Sequence, residues 1–120
     1  MPEGLLIFEW NERSGVEVLA AYPNELDTKY TNRTLIQIYN MAQHTRETGI
    51  SWMNTDAVNL LSFYTGPEME FFVVLLLNML EDPEDFEDKV EDFARIIIRN
   101  IENEKYKEML PHIYEKISNH

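Results

Sequence analysis

The side chains best suited to acid–base or nucleophilic chemistry are few and scattered along the chain. They are three histidines and four serines: His44, His112, His120, Ser14, Ser51, Ser62 and Ser118. The histidines do not have the spacing of a metal site, and no His-Glu-x-x-His stretch occurs. The serines lie in none of the motifs that surround nucleophilic serines. We therefore expect no catalytic site, no metal site and no cofactor, and we expect His44 to be a surface residue rather than a base.

Carboxylates are abundant, so their distribution has to be interpreted. The sequence has 22 acidic and 10 basic residues, a formal net charge of −12. Binding to nucleic acid or to an anionic membrane surface requires clustered lysine and arginine, so both are disfavoured as direct partners, whereas a basic protein partner is permitted. Two carboxylates could also meet by accident in the fold. The densest acidic stretch, residues 81–92, has two interpretations that the sequence leaves open: the start of a helix, or a docking surface for a partner.

No feature of the chain directs it to another compartment or to a membrane. There is no cysteine, which excludes disulfides and lipid attachment to thiols. The opening residues lack the basic and long apolar regions of a secretory signal. The longest apolar run, residues 71–80, is interrupted by Asn78 and is half the length of about 20 residues that a membrane helix requires. We therefore expect a cytoplasmic protein with no direct membrane insertion.

The apolar runs and turn signals predict five strands. Residues 70–77 follow a Thr-Gly-Pro turn and are apolar at nearly every position, which is typical of a strand covered on both faces. Residues 5–8 form a second such run. Residues 16–22 then return as the other half of a hairpin, and short strands are expected at residues 50–54 and 59–64.

Apolar residues at helical spacing predict three helices. The first begins with Thr31 as its cap, buries Leu35, Ile38, Tyr39, Ala42 and Thr45, and ends at Gly49. The second begins in the acidic stretch, where Asp82 can cap the helix, Pro83 occupies its first position and Asp85 its third. Its buried face comprises Phe86, Val90, Phe93, Ala94, Ile97 and Ile101. The third spans residues 104–117, and Pro111 should kink or split it.

These elements predict one α+β domain covering residues 1–120. The first and fifth strands are apolar throughout, so both should be central in the sheet. A five-stranded antiparallel sheet in the order 2-1-5-4-3 places them side by side and keeps every connection short. The first helix would cover one face and the other two helices the opposite face, which gives three layers, α/β/α.

This order and several local strings resemble the longin domain. The similar strings are "GLLIFEW" at residues 4–10, "VEVLAAYP" at 16–23, "TLIQIY" at 34–39 and "LLSFYTGPEMEFFVVLLLNMLEDPEDFED" at 60–88. Longin domains are five-stranded, profilin-like modules found in SNAREs, in coat and tethering complexes and in the signal recognition particle receptor. Among longin proteins, the chain resembles the small stand-alone longin-like proteins of archaea. The related roadblock module begins with a helix, whereas this chain begins with a strand.

The resemblance implies a non-enzymatic module that binds other proteins. Longin modules often bind small Ras-like GTPases or another longin-like subunit in vesicle trafficking and tethering. For this chain we expect such a protein, a roadblock-type subunit or a second copy of the chain as the partner. No coiled-coil SNARE helix follows Ile117 in this sequence, so fusion activity is not expected. A different class of function, a small-molecule sensor of related sheet topology, remains open and would require a hollow core.

The resemblance also indicates where a partner would bind. In longin-like families, common docking surfaces are the edge formed by the third strand and the outer side of the first helix. Exposed sheet edges favour pairing with another chain, and tryptophan and methionine are enriched at interface centres. Trp52 could instead pack into the core of the monomer. Five methionines are interpreted as core or interface filler rather than a soft-metal site: Met41, Met53, Met69, Met79 and Met109. The candidate contact residues are Arg33, Gln37, Met41, His44, Trp52 and Met53.

Overall fold

The computed structural model describes residues 2–22, 32–55, 58–67 and 69–118 of the 120 in the chain. Within them the order of elements is the one that the sequence predicts. The strands are β1 (Gly4–Asn11), β2 (Gly15–Tyr22), β3 (Gly49–Asn54), β4 (Asn59–Tyr64) and β5 (Phe71–Leu76). The helices are α1 (Asn32–Thr45), α2 (Glu87–Arg99) and α3 (Tyr106–Ser118), and a 3-10 turn (Pro83–Phe86) precedes α2.

The five strands form one antiparallel sheet in the order β2-β1-β5-β4-β3, which confirms the predicted topology. β5 is the middle strand, and its residues from Phe72 to the end are buried. The prediction that β1 and β5 are the central strands was incomplete, because β4 is buried at all six positions. Its two polar residues concealed this in the sequence. One of them, Asn59, is satisfied inside the protein, since its Nδ2 donates to the carbonyl oxygens of Asn78 and Glu81, both at 2.8 Å.

Two apolar clusters lie on opposite faces of the sheet. Alternate side chains of the central strands, such as Leu6 and Val74, pack beneath α1. The intervening ones, such as Ile7 and Val73, pack beneath α2 and α3. Because successive side chains of a strand point to opposite faces, a run that is apolar at every position requires cover on both sides. The predicted three layers are therefore present.

The acidic stretch starts a helical segment, as one of its two interpretations predicts. Asp82 has an extended backbone, and its Oδ1 accepts the backbone N–H of Glu84 at 3.0 Å. Pro83 occupies the first position of the 3-10 turn, where its missing N–H costs no hydrogen bond. The α-helical geometry begins only at Glu87. Phe86, Val90, Ala94 and Ile97 are buried as expected, whereas Phe93 and Ile101 are only partly buried.

One predicted helix end was wrong, and one of the two outcomes predicted for Pro111, a split helix, does not occur. α1 ends at Thr45, and the left-handed residue that follows it is Arg46, with φ 55°; Gly49 is already the first residue of β3. Pro111 does not split α3, which is one helix through that residue. The proline is the sixth residue of α3, so it removes only the bond to the carbonyl of Lys107, in the exposed first turn. The predicted cap of α1, Thr31, lies outside the described residues.

Candidate protein-interaction surface

Trp52 is the most exposed aromatic side chain at the edge of the sheet. It lies on β3, which is the last strand in the sheet order, and it is 44% exposed. The alternative that Trp52 packs into the core of the monomer was therefore wrong. Partly exposed tryptophans combine a large apolar area with few rotatable bonds, which suits an interface.

A hydrogen bond holds the Trp52 ring in place. The indole Nε1 donates to Oε1 of Glu87 at 2.8 Å. Glu87 is the first residue of α2, where a carboxylate is favoured by the helix dipole. The ring therefore joins the sheet edge to the start of a helix 35 residues further along the chain. An indole fixed in this way loses little side-chain entropy on binding, which favours its use as an anchor.

The other residue predicted on this strand points to the opposite face of the sheet. Met53 is half-buried and packs against the cluster beneath α1. Trp52 lies opposite Leu61 and Met53 opposite Leu60, and these two leucines belong to different core clusters. A partner at this edge would therefore contact the backbone of β3 and the Trp52 ring more than the Met53 side chain.

The four candidates on α1 form a separate patch. Arg33, Gln37 and His44 are exposed, and Met41 is half-buried. Their spacing places them along one side of the helix, away from the buried residues. Because α1 covers the face opposite to that of Trp52, the structure does not bring the six predicted residues into one surface. We call β3 with Trp52 and Glu87 the edge patch, and Arg33, Gln37 and His44 the helix patch.

Two exposed apolar residues at the end of an apolar run lie outside the predicted contact residues. Met79 is 51% exposed and Leu80 is 97% exposed, in the turn between β5 and the 3-10 turn. Asn78 holds this turn, because its Oδ1 accepts the backbone N–H of Leu80 at 2.9 Å. Leu80 is followed directly by the acidic stretch, so an apolar tip stands beside several carboxylates.

Some ionisable side chains contact one another, and their hydrogen bonds hold the fold together. The Tyr64 hydroxyl donates to Oε1 of Glu70 at 3.2 Å and accepts from Nε2 of Gln43 at 3.5 Å. Burial, and then the charge of Glu70, raises the pKa of Tyr64 above its usual value. A tyrosine with a raised pKa stays protonated at neutral pH, so it acts here as a hydrogen-bond donor that ties β4 to the start of β5.

One pair of carboxylates also lies together, as the acid-rich composition allowed. Glu9 and Glu17 are direct cross-strand neighbours on β1 and β2. Burial, and then the charge of Glu17, raises the pKa of Glu9. Throughout the described part of the chain, no group of three or more acidic or histidine side chains is arranged to hold a metal ion.

Comparison with known proteins does not assign the chain to a family. The chain matches no protein-family model, no curated protein and no solved structure. Within the described ranges, no helix combines the length and the apolar character needed to cross a membrane.

Proposed function

We propose that this protein is a cytoplasmic, non-enzymatic interaction module of the longin type. Its partner would be a small Ras-like GTPase, or another longin- or roadblock-type subunit of a trafficking or tethering assembly. The sheet order and the three layers agree with the fold that the resemblance implies, and the strings that carry the resemblance lie on β1, β2, α1, β4 and β5.

The observation that carries the proposal is the edge patch. β3 is only partly buried and lies at the end of the sheet, where another strand or a helix can pair or pack. Trp52 lies on that strand, exposed and held by Glu87. Residues that carry most of the energy of protein interfaces are enriched in tryptophan. The helix patch is a second contact region that a large partner could reach.

The proposal is tested with Trp52→Glu and a matched control, Val18→Glu. Val18 is 36% exposed on β2, at the opposite edge of the same sheet, so the control makes the same kind of change at an edge that the proposal does not use. Wild type and both variants, checked by circular dichroism for folding, serve as baits in an extract of the source cells. We expect wild type and Val18→Glu to retain a GTPase or a longin- or roadblock-type protein that Trp52→Glu loses.

Light scattering separates a second copy of the chain from a different partner. If the edge patch forms a homodimer, wild type and Val18→Glu have twice the mass of Trp52→Glu. If all three proteins have the same mass, the edge patch does not form a homodimer, and its partner is a different protein. A partner that all three baits retain equally, or a folded wild type that binds no such protein and does not self-associate, would contradict the proposal.

A further inference from the structure

A depression beside the start of β3, which Trp52 and Glu87 do not line, concentrates positive charge. It has a volume of about 280 Å³ and lies where the second half of α2 passes the ends of β3 and β4. Arg95 and Arg99 of α2 both line it. Two of the ten basic residues of a chain with net charge −12 therefore lie at one small concavity.

Both arginines retain N–H donors that can hold an anion. They are one helical turn apart, so their side chains lie on the same side of α2. Nη2 of Arg95 donates to Oε1 of Glu91 at 2.8 Å, which uses one of the five N–H donors of the guanidinium. Arg99 is the last residue of α2, where a cation is favoured by the helix dipole. The dipole explains one arginine at this end, but it does not explain why both face the same depression.

Thr48, just before β3, and Thr65, just after β4, bring hydroxyl groups to the same depression. Oγ1 of Thr65 accepts the backbone N–H of Phe71 at 3.0 Å, so its own hydrogen can be donated to a ligand. Thr48 donates to the carbonyl oxygen of Thr65 at 3.1 Å. Gly66, with φ 107°, packs so closely that an added Cβ would lie 2.8 Å from Oγ1 of Thr48. Thr48 and Thr65 are therefore held in place without a ligand, which reduces the entropy lost on binding.

The rest of the lining is apolar. Phe63 is 2% exposed, Ile98 is half-buried, and Met69 at the rim is 41% exposed. Guanidinium and hydroxyl donors beside an apolar surface fit an anionic group attached to an apolar body. The volume is slightly below the range of roughly 300–1,000 Å³ typical of ligand pockets, so the bound group must be small.

We propose that this depression binds the carboxylate of a small apolar acid. Arg99 and Arg95 bind the carboxylate, because guanidinium and carboxylate form paired charge-assisted hydrogen bonds. Thr65 donates a further hydrogen bond, and Met69 and Ile98 contact the apolar body. The ligand is either a free acid or the terminal carboxylate of a chain that ends in an apolar residue. Neither Trp52 nor Glu87 lines the depression, so the failure of one proposal leaves the other standing.

The test is an NMR titration of the ¹⁵N-labelled protein with N-acetyl-L-phenylalanine. We expect saturable shift changes at the backbone amides of Thr48, Thr65, Met69, Ile98 and Arg99. The matched probes are N-acetyl-L-phenylalaninamide, which lacks the charge, and acetate, which lacks the apolar body. Both should bind at least about tenfold more weakly, the factor expected when a charge-assisted hydrogen bond or a comparable apolar contact is lost.

Exposed residues allow variants that keep the fold. Arg99→Gln should weaken binding of N-acetyl-L-phenylalanine by about tenfold or more, and Arg95→Gln by less, because Arg95 is shared with Glu91. The control is Arg13→Gln, which removes the same charge from the exposed β1–β2 loop and should leave binding unchanged. Met69→Gln should weaken binding of the aromatic acid and leave acetate unaffected.

A pentapeptide, Gly-Gly-Gly-Ser-Phe, distinguishes the two sources of the carboxylate. Binding at least tenfold tighter than that of N-acetyl-L-phenylalanine assigns the site to a chain end, and weaker or equal binding assigns it to a free acid. The proposal is overturned by an absence of saturable shifts, by an amide that binds as well as the acid, or by a folded Arg99→Gln that binds like wild type. Inorganic phosphate that binds as tightly as the aromatic acid would also overturn it, because the apolar surface would then contribute nothing.

Discussion

Phe72 lies at the centre of an aromatic stack, and its replacement by leucine tests how much that stack stabilises the fold. The Phe72 side chain is fully buried in the middle strand. Its ring centroid lies 4.5 Å from that of Phe8 and 4.8 Å from that of Tyr64, both nearly parallel, and 6.1 Å from that of Tyr39 in an edge arrangement. Leucine keeps the site apolar but removes every ring contact.

The magnitude follows from the two close stacks. An aromatic pair is worth about 0.5–1.5 kcal/mol beyond its buried area, so two pairs give about 1–3 kcal/mol. The matched control is Phe63→Leu, because Phe63 is 2% exposed in the neighbouring strand β4 but makes no ring stack with the described aromatic side chains. Both variants lose part of a buried ring, and this loss of buried apolar area destabilises each by on the order of 1 kcal/mol. We therefore expect Phe72→Leu to be less stable than Phe63→Leu by about 1–3 kcal/mol.

The assay is equilibrium unfolding in urea, followed by circular dichroism. With a slope of about 1–3 kcal/mol per molar urea, the midpoint of Phe72→Leu should lie on the order of 1 M below that of Phe63→Leu. A double-mutant cycle with Phe8→Leu should give a coupling energy of about 0.5–1.5 kcal/mol. If both single variants lose the same stability and the coupling is zero, the stack adds nothing beyond burial and the reasoning is refuted.

Four further substitutions test the sheet and its helices. Val74→Asp places a charge where the side chain is fully buried, so it should cost several kcal/mol or prevent folding, and a variant that melts like wild type would contradict the central position of β5. Phe86→Ala should destabilise the fold by about 3–5 kcal/mol because Phe86 is buried, and Phe93→Ala by less because Phe93 is only partly buried. Equal losses of stability for the two variants in thermal unfolding would contradict this difference. Glu17→Lys should stabilise the protein at neutral pH by roughly 0.2–1 kcal/mol, since it turns a repulsive cross-strand pair with Glu9 into an attractive one. Burial, and then the charge of Glu17, raises the folded-state pKa of Glu9, so both cost the wild type stability as pH rises from the ordinary glutamate range through that raised pKa, and the substitution removes only the second cost. The gain in stability from Glu17→Lys should therefore be largest at pH values above the raised pKa of Glu9 and should vanish in acid. A gain that does not depend on pH, or that the same charge change at an exposed loop position also gives, would contradict this prediction.

The sequence by itself determined the kinds of element and their order. The unbroken apolar residues of β5, the hairpin of β1 and β2, and the Asp82-Pro83 start before α2 are signals contained within a few neighbouring residues. Together with the rule that connections are short, they were sufficient to predict the order of all five strands. Helix ends were less certain, because a left-handed residue after a helix need not be glycine, as Arg46 shows.

Only the tertiary structure decided which side chains meet. The bond from Trp52 to Glu87 and the approach of Arg99 to the end of β4 join residues that are more than 30 positions apart. Such contacts depend on how far each helix is shifted and rotated over the sheet, and that geometry is set by the packing of the two core clusters as a whole. The complete burial of β4 also depends on packing. Asn59 and Ser62 do not indicate a buried strand, and β4 is covered on both faces because of the elements that pack against it. Periodicity and capping are properties of a short segment, whereas burial and side-chain pairing are properties of the folded chain.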